Sequence, residues 1–367
     1  VARGVKVTPP ERQRPNPLSE PSDARSEASA APAQTTAPRL AATAVDIDLP
    51  EPFSAERTLA FLQRSSLGVP YSFGPHGARR AVHLDGHLYG LDFRFQGRCL
   101  RVSLLAAQTD GAPHRDPQHD PHRAPAPGAA RPGTARRGLT PPDAERLRSL
   151  ARHLWGLDDD LEDGYRVLGE DPRMASLLAA HRGLSMTRTP DPYEALLTVV
   201  IGQQVSVRAA SAVRRRLLAE LGDAIEWEGE PVAAYPTPER ILEARPERLQ
   251  TVGLSRQKAR YVLEIAVRAA AGELEPQRFA GLDDQEALER LMEIPGVGRW
   301  TAENVLIRGL GRRDVLPAAD LGILVAVQRL MGWEHRPTEA EVRALGVRWQ
   351  GYRSHAALYL WALLGGT

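Results

Sequence analysis

Residues 283–304 read Asp-Asp-Gln-Glu-Ala-Leu-Glu-Arg-Leu-Met-Glu-Ile-Pro-Gly-Val-Gly-Arg-Trp-Thr-Ala-Glu-Asn. Asp283 is placed to cap a helix, and Glu286 three positions on completes a capping box. Ala287, Leu288, Leu291 and Met292 give that helix one apolar face. Ile294-Pro295-Gly296-Val297-Gly298 then breaks it, and a second helix begins around Trp300, Thr301 and Ala302, with Gly309 as its natural C-cap. Two glycines let the turn bend sharply and approach another surface with no Cβ in the way. Their N–H groups stand at a helix N-terminus, where unpaired donors and the helix dipole favour a phosphate. Such a turn grips a nucleic-acid backbone without a basic side chain, and Gly296, Val297, Gly298 and Thr301 are the expected contacts.

That independence from basic side chains matters because the 367 residues carry a net charge of only +1. Nucleic-acid binding therefore has to rest on local features, since global charge gives it no support. A hydrophobic fraction of 42% is enough for real cores. The only lysines are Lys6 and Lys258. The one cysteine, Cys99, excludes a disulfide framework, a four-cysteine zinc site and a cysteine-ligated iron–sulfur cluster. The sequence has no apolar run long enough to span a bilayer and no signal-peptide pattern, so it reads as soluble, without a membrane partner, and cytoplasmic. Its first residue is Val1, which leaves a non-standard start, a processed end and a fragment all open.

Around this hairpin the chain changes character several times. Residues 1–45 are rich in Pro, Ala, Ser, Thr and Arg with no apolar period, the composition of a disordered tail. A second such stretch, about 108–138, holds His114, His119 and His122 among prolines and reads as a solvated loop rather than a metal site. Between them, residues 56–64 have helical character. Leu91-Asp92-Phe93-Arg94-Phe95 and Leu100-Arg101-Val102-Ser103-Leu104 alternate as half-buried strands joined by a Gln96-Gly97 turn. From Thr140 onward the pattern is helical almost without interruption, with Pro and Gly as punctuation. Leu249-x-x-Val252-Gly253-Leu254-Ser255 faintly repeats the hairpin's spacing.

Two further features carry chemistry. Gln203-Gln204-Val205-Ser206 is a polar island in an apolar helix or helix junction, open to two readings: an internal hydrogen-bonding patch or a DNA-contact surface. Asp320 follows Asp314-Val315-Leu316-Pro317 and opens a helix apolar on nearly all sides, which predicts that this helix is buried. An N-cap at Asp320 and a catalytic carboxylate are compatible roles, because helix N–H groups hold such an acid ionised.

Together, Ile294-Pro-Gly-Val-Gly-x-Trp-Thr-Ala, Asp314-Val-x-Pro and Asp320 resemble the signature of the helix–hairpin–helix (HhH-GPD) DNA glycosylases, and within them the AlkA-type 3-methyladenine DNA glycosylase II group. The resemblance covers residues 189–364, including Pro192-Tyr193-Glu194-Ala195-Leu196, Ile201-Gly202-Gln203, Tyr235-Pro236-Thr237-Pro238 and Trp349-x-x-x-Arg353-Ser354, and more weakly 46–107. It implies an α+β fold: a small N-terminal antiparallel sheet with helices, then an all-α two-lobed helix–hairpin–helix region. The implied boundaries are 46–138 for the sheet domain, 139–188 with 321–367 for one helical lobe, and 189–320 for the hairpin lobe.

The resemblance also implies roles. Asp320 would be the catalytic aspartate. Trp300, Trp361, Asn304, Phe61 and Tyr193 would line a base pocket. Gln203, Gln204, Ser206, Arg353 and Ser354 would join the hairpin in holding double-stranded DNA with a damaged base. The carbonyls of Ile294 and Val297 would hold a structural sodium or potassium ion, no other cofactor being required. Core packing is the competing role for Trp300 and Trp361. Asn304 stands where the group has a pocket tyrosine, and Gln204 where it has an inserted leucine.

The implied reaction is hydrolysis of the bond between an alkylated base and its sugar, by a monomer associated with the nucleoid. An alkylated purine is cationic and already a good leaving group, so one aspartate and water suffice where ordinary glycosidases use two carboxylates. Relatives that also cut the strand use a hairpin lysine for a Schiff base. Trp300 holds that position here, which implies a monofunctional enzyme. The alternatives are a glycosylase for oxidised or deaminated purines, and a non-catalytic DNA-binding part of an adaptive-response regulator.

Overall fold

A computed structural model describes residues 44–109 and 142–365 of the chain. The tail expected over 1–45 and the loop expected over 108–138, with its three histidines, lie outside the described residues except at their edges. There Ala44 and Val45 open a strand, and Gln108 and Thr109 close one.

The first part is β1 (Ala44–Asp48), α1 (Ala55–Arg64), β2 (Ser72–Gly74), β3 (Gly77–Leu84), β4 (His87–Gln96) and β5 (Cys99–Thr109). The strands form one antiparallel sheet in the order β1-β5-β4-β3-β2. The expected hairpin is β4–β5, with Phe93 opposite Val102. Alternation puts Leu91, Phe93 and Phe95 on one face, where they meet α2 (Ala144–Trp155). Trp155 is fully buried there, edge-on to Phe95 at 4.9 Å and to Phe93 at 5.5 Å between ring centroids. Burying side chains of this kind contributes roughly 2–3 kcal/mol each. Helix α2 was assigned from sequence to a helical lobe; its apolar stripe of Leu147, Ala151 and Leu154 instead completes the core of the sheet.

The helical part runs through α3 (Leu161–Leu168), α4 (Pro172–Ala180), α5 (Pro192–Gly202) and α6 (Val207–Leu221). Two strands follow that the sequence reading missed, β6 (Asp223–Trp227) and β7 (Glu230–Ala234), paired around Glu228-Gly229. They cover the second face of the sheet, where Ile225, Val232 and Ala234 pack with Ala81 and Leu88. The β4 strand is consequently buried on both faces along most of its length, not half-buried as its alternation suggested. Asp92, on that covered face, is 6% exposed and bound by Arg79 and Arg94.

The chain continues as α7 (Pro238–Glu243), α8 (Pro246–Thr251), α9 (Arg256–Ala270), α10 (Asp284–Met292), α11 (Arg299–Arg308), α12 (Leu321–Met331), α13 (Glu339–Leu345) and α14 (Arg353–Leu363). One continuous apolar core joins residues of both expected lobes, from Leu168 and Met174 through Leu196, Val262 and Val305 to Ile323 and Leu358. Helix α12 corrects a second expectation. Only Ile323, Ala326 and Val327 are buried, and Leu321 is 62% exposed, so its apolar surface is partly presented to solvent.

The sheet is tied to the helical part by a buried ion pair: Arg80 on β3 donates to Glu194 on α5 at 2.5 Å, with Arg80 1% and Glu194 6% exposed. Glu194 beside it holds the Arg80 guanidinium charged in spite of burial. Removing either partner would strand a buried charge, at a cost of about 3–5 kcal/mol. The pair fixes the N-terminal half of α5, whose C-terminal end reaches the hairpin.

Candidate active site

The hairpin forms as the opening stretch dictates. Asp283 and Glu286 make the capping box on α10 in both directions. Gly296 takes a left-handed φ of +85°, and a Cβ there would fall 2.4 Å from the Tyr261 ring, so conformation and space both demand glycine. Gly298 is different. Its φ is −88°, nothing lies within 4 Å of where a Cβ would stand, and it is the N-cap of α11 with no side chain capping that helix. The N–H groups of Arg299, Trp300 and Thr301 find no backbone acceptor among the described residues. An open, uncapped helix start of this kind is suited to a phosphate. By contrast α9, which follows the fainter repeat and Gly253 at φ +103°, is capped by Ser255.

Several residues expected at the DNA hold the hairpin from inside. The Gln203 amide nitrogen donates to the Gly296 carbonyl and to Thr301 Oγ1, both at 3.0 Å, and Thr301 is 2% exposed. These two side chains join the end of α5 to the turn. Val297 is buried, with its N–H given to the Ile294 carbonyl at 3.0 Å. Ser354 is 2% exposed and donates to the Arg312 and Val315 carbonyls, while accepting from Val315 N–H. Arg353 is bound to Asp314 and to the Gly346 carbonyl. Asp314 also accepts from the N–H groups of Gly351 and Arg353, so the Asp-Val-x-Pro motif caps the start of α14 and fixes the loop leading to Asp320.

Gln204 and Ser206, by contrast, are exposed. Ser206 caps α6 through Ala209 N–H. Gln204 adopts φ +55°, a left-handed conformation costly for a residue with a Cβ, beside Val205 at 47% exposure. This tip is held by Lys258, whose amine donates to the Ile201 and Gln203 carbonyls at 2.8 and 2.7 Å. Burial pushes the Lys258 amine below its ordinary pKa. Lysine at the C-terminus of a helix also complements the helix dipole.

Asp320 is the N-cap of α12, and its carboxylate accepts three N–H donors. Trp300 Nε1 reaches Oδ2 at 2.8 Å, while Trp361 Nε1 and the Ile323 N–H reach Oδ1 at 3.0 and 3.1 Å. The capping and catalytic roles thus coexist in one geometry. Two tryptophans from α11 and α14 fix the direction of the carboxylate, and Asp320 itself is half-buried. Trp361 is only 3% exposed, and the guanidinium of Arg308 covers one face of its ring at 4.6 Å from the centroid. It is therefore a support for Asp320 more than an open wall. Asn304 donates to the Trp300 carbonyl at 3.0 Å and accepts weakly from Arg308 Nε at 3.4 Å. Tyr193 does not join this group: its hydroxyl donates to the Pro236 carbonyl, within the core. Phe61 is likewise a buried core residue, 5% exposed.

The reading of the sequence passed over Arg308. Trp300, Asn304 and Arg308 recur every four residues along α11 and share one face, a spacing visible in the sequence. Burial lowers the Arg308 pKa and the charge of Asp320 raises it, leaving it at about 10 and the group cationic at neutral pH.

Residues 197–350 match the family described as HhH-GPD superfamily base excision DNA repair protein. The chain is 32% identical over 213 residues to the DNA-3-methyladenine glycosylase of Bacillus subtilis, covering 58% of this chain and 70% of that one. It belongs to the HhH-GPD superfamily. It is 36% identical over 226 residues to a protein of Mycobacterium tuberculosis named "probable bifunctional transcriptional activator/DNA repair enzyme AlkA", covering 60% of this chain but only 43% of that relative. Among solved structures, the 3-methyladenine DNA glycosylase from Archaeoglobus fulgidus superposes with a TM-score of 0.70 at 25% identity, covering 87% of this chain and 97% of the other. This HhH-GPD chain therefore shares both of its structural parts, sheet and helical, with that neighbour.

Proposed function

We propose that the protein is a monofunctional DNA glycosylase that hydrolyses the bond between sugar and base at alkylated purines in duplex DNA, the first step of base excision repair. The observation that carries this reading is the Asp320 carboxylate, fixed by two indole N–H groups and set within one hydrogen bond of the helix whose uncapped N-terminus is open to a phosphate. A pure DNA-binding module has no use for an acid held in that way. The names of the relatives agree with alkylated bases as substrates.

In this mechanism the hairpin anchors the strand and the damaged nucleotide turns out of the stack. Asp320 stabilises the positive charge that develops on the sugar and orients the attacking water. No amine is available for a Schiff base at the hairpin. Trp300 stands at that position, and Lys258, the one lysine among the described residues, is bound to two carbonyls at the end of α5. The strand is left uncut at an abasic site.

The enzyme acts as a monomer on chromosomal DNA in the cytoplasm. Among the described residues no group of three or more His, Cys, Asp or Glu side chains is placed to hold a metal. A structural alkali ion at the hairpin would rest on the backbone carbonyls of Ile294 and Val297. The former accepts one hydrogen bond and keeps a second lone pair.

Incubating the purified chain with methylated duplex DNA, and scoring released bases and strand breaks separately, tests this reading. Release of methylated purines with intact abasic strands is expected. No release from any alkylated or deaminated duplex would overturn the glycosylase assignment and favour the DNA-binding part of a regulator, a reading kept open by the bifunctional M. tuberculosis relative. Strand cleavage without heat or alkali would overturn the monofunctional one.

A further inference from the structure

The near-zero net charge hides a local excess. From Gln204 to Ala219 and from Thr251 to Leu263 the chain carries seven cations and no carboxylate. Three of the seven are used internally: Arg214 donates to the Thr198 carbonyl, Arg216 to the Val252 carbonyl and Lys258 to the end of α5. The other four are Arg208 and Arg215 on α6 and Arg256 and Arg260 on α9. They are exposed, and their side chains make no ion pair, hydrogen bond or ring contact among the described residues. Exposed arginines elsewhere, such as Arg101, Arg152, Arg166 and Arg182, each meet a carboxylate. Arg208 and Arg256 also stand in the first turn of their helices, where the helix dipole disfavours a cation and where α3, α10 and α13 carry acids. Like charges gathered in this way oppose local stability, and they point to a polyanion that neutralises them.

The two arginine-bearing helices adjoin the hairpin. A spacing of seven puts Arg208 and Arg215 on one face of α6, and a spacing of four puts Arg256 and Arg260 on one face of α9. Arg216 joins α6 to the turn before α9 at 2.8 Å, Lys258 joins α9 to the exposed 204–206 tip through the Gln203 carbonyl at 2.7 Å, and the Tyr261 ring of α9 packs against Gly296 of the hairpin. Ser206 and Ser255 already cap α6 and α9, so a contact here has to come from guanidinium groups and not from open N–H groups as at α11. Resting on the duplex-DNA part of the function proposed above, we infer that Arg208, Arg215, Arg256 and Arg260 hold the backbone of the same duplex beyond the hairpin, on the flank beside the 204–206 tip. The hairpin positions a phosphate near the acid, whereas the arginines supply the salt-sensitive attraction that retains the protein on undamaged DNA.

The test is the affinity of the full chain for undamaged duplex across a salt series. In the fourfold variant R208Q, R215Q, R256Q and R260Q, the slope of log K against log salt should be shallower by about two or more, and affinity in about 0.1 M salt should fall about tenfold or more. Arg256→Gln alone should flatten the slope by about one, and it decides the matter where the fourfold variant does not fold. Lysine at the same four positions keeps the charges and should keep the slope within about one of wild type. Removing one flank of an abasic duplex should weaken wild type and leave the fourfold glutamine variant unaffected, while removing the other flank weakens both alike. A wild-type slope and affinity in the folded glutamine variants would overturn the inference, and so would a lysine set as weak as the glutamine set. Loss of binding to phosphatidylserine vesicles with duplex binding unchanged would overturn it in favour of a membrane surface. A wild type that binds duplex as described but releases no methylated purine would overturn the glycosylase reading and leave this inference standing.

Discussion

Replacing Gln203 with alanine separates an internal clamp from a DNA contact. The amide nitrogen makes two hydrogen bonds at 3.0 Å, one to the Gly296 carbonyl and one to Thr301 Oγ1. Neutral hydrogen bonds contribute about 0.5–1.5 kcal/mol each, and a buried group left without a partner costs about 1–3 kcal/mol. Gly296 is half-exposed and can turn to water, whereas Thr301, 2% exposed, cannot. Gln203→Ala should therefore lower unfolding stability by about 2 kcal/mol in urea titrations. Thr301→Val removes the same acceptor, so the double variant should show a coupling of about 1 kcal/mol. Affinity for undamaged duplex should fall only modestly, about threefold, because the hairpin loosens but loses no contact. Stability within about 0.5 kcal/mol of wild type, together with a tenfold or greater loss of affinity, would refute the clamp and restore Gln203 to the DNA surface.

Other perturbations follow from the same geometry. The two hairpin glycines should respond oppositely. Gly296→Ala, strained at φ +85° and driven into Tyr261, should cost about 1–3 kcal/mol of stability. Gly298→Ala should leave stability within about 1 kcal/mol of wild type yet weaken duplex binding, because its Cβ enters the open space at the uncapped start of α11, where the proposed function puts a phosphate. Equilibrium unfolding and duplex titration distinguish the two.

The fold should also lose stability in mild acid. Burial, aided by the charge of Arg188, lowers the His153 pKa from an ordinary 6.5 to about 4. The folded protein thus keeps His153 neutral while the unfolded chain takes up a proton as pH falls through 6.5, and stability declines from there to about pH 4. That difference is worth up to about 3 kcal/mol. Asp159, which burial pushes up but His355 and Arg188 together hold down at about 2, stays ionised in the folded protein; its unfolded form starts to protonate only below about pH 5, adding slope in the same direction there, so the His153 contribution is read above about pH 5. His153→Gln should flatten the pH dependence of urea unfolding between pH 6.5 and about 5; an unchanged slope would contradict the assignment.

What could be read directly from the chain was local. The capping box, the two glycines and an acid at a helix start are each specified within a few residues, and all three appear as expected. The antiparallel sheet was legible through the alternation at 91–95 and 100–104. The strands at 223–234 were missed because they are short and carry Pro231, although Ile225 and Trp227 alternate and Glu228-Gly229 marks the turn. Polar residues were harder. Gln203, Thr301 and Ser354 looked like surface because polar side chains usually are, but each bonds a group about 40 to 100 residues away, which no local pattern encodes. The same holds for the Arg80–Glu194 pair, 114 residues apart. Arg308 was missed for another reason: its four-residue spacing from Trp300 and Asn304 was present, but Trp361, which turns it into part of a site, comes from a different helix.

The most direct test of the central claim is single-turnover base release from methylated duplex by Asp320→Asn, measured beside its affinity for the same DNA. Asparagine keeps the size of the side chain and a carbonyl oxygen for the cap, but removes the charge from between Trp300 and Trp361. Release should fall by about 10²-fold or more, the scale of losing one preorganised electrostatic group, while DNA affinity stays within about threefold of wild type. Release by Asp320→Asn at the wild-type rate would contradict the account and leave Asp320 as nothing more than the N-cap of its helix.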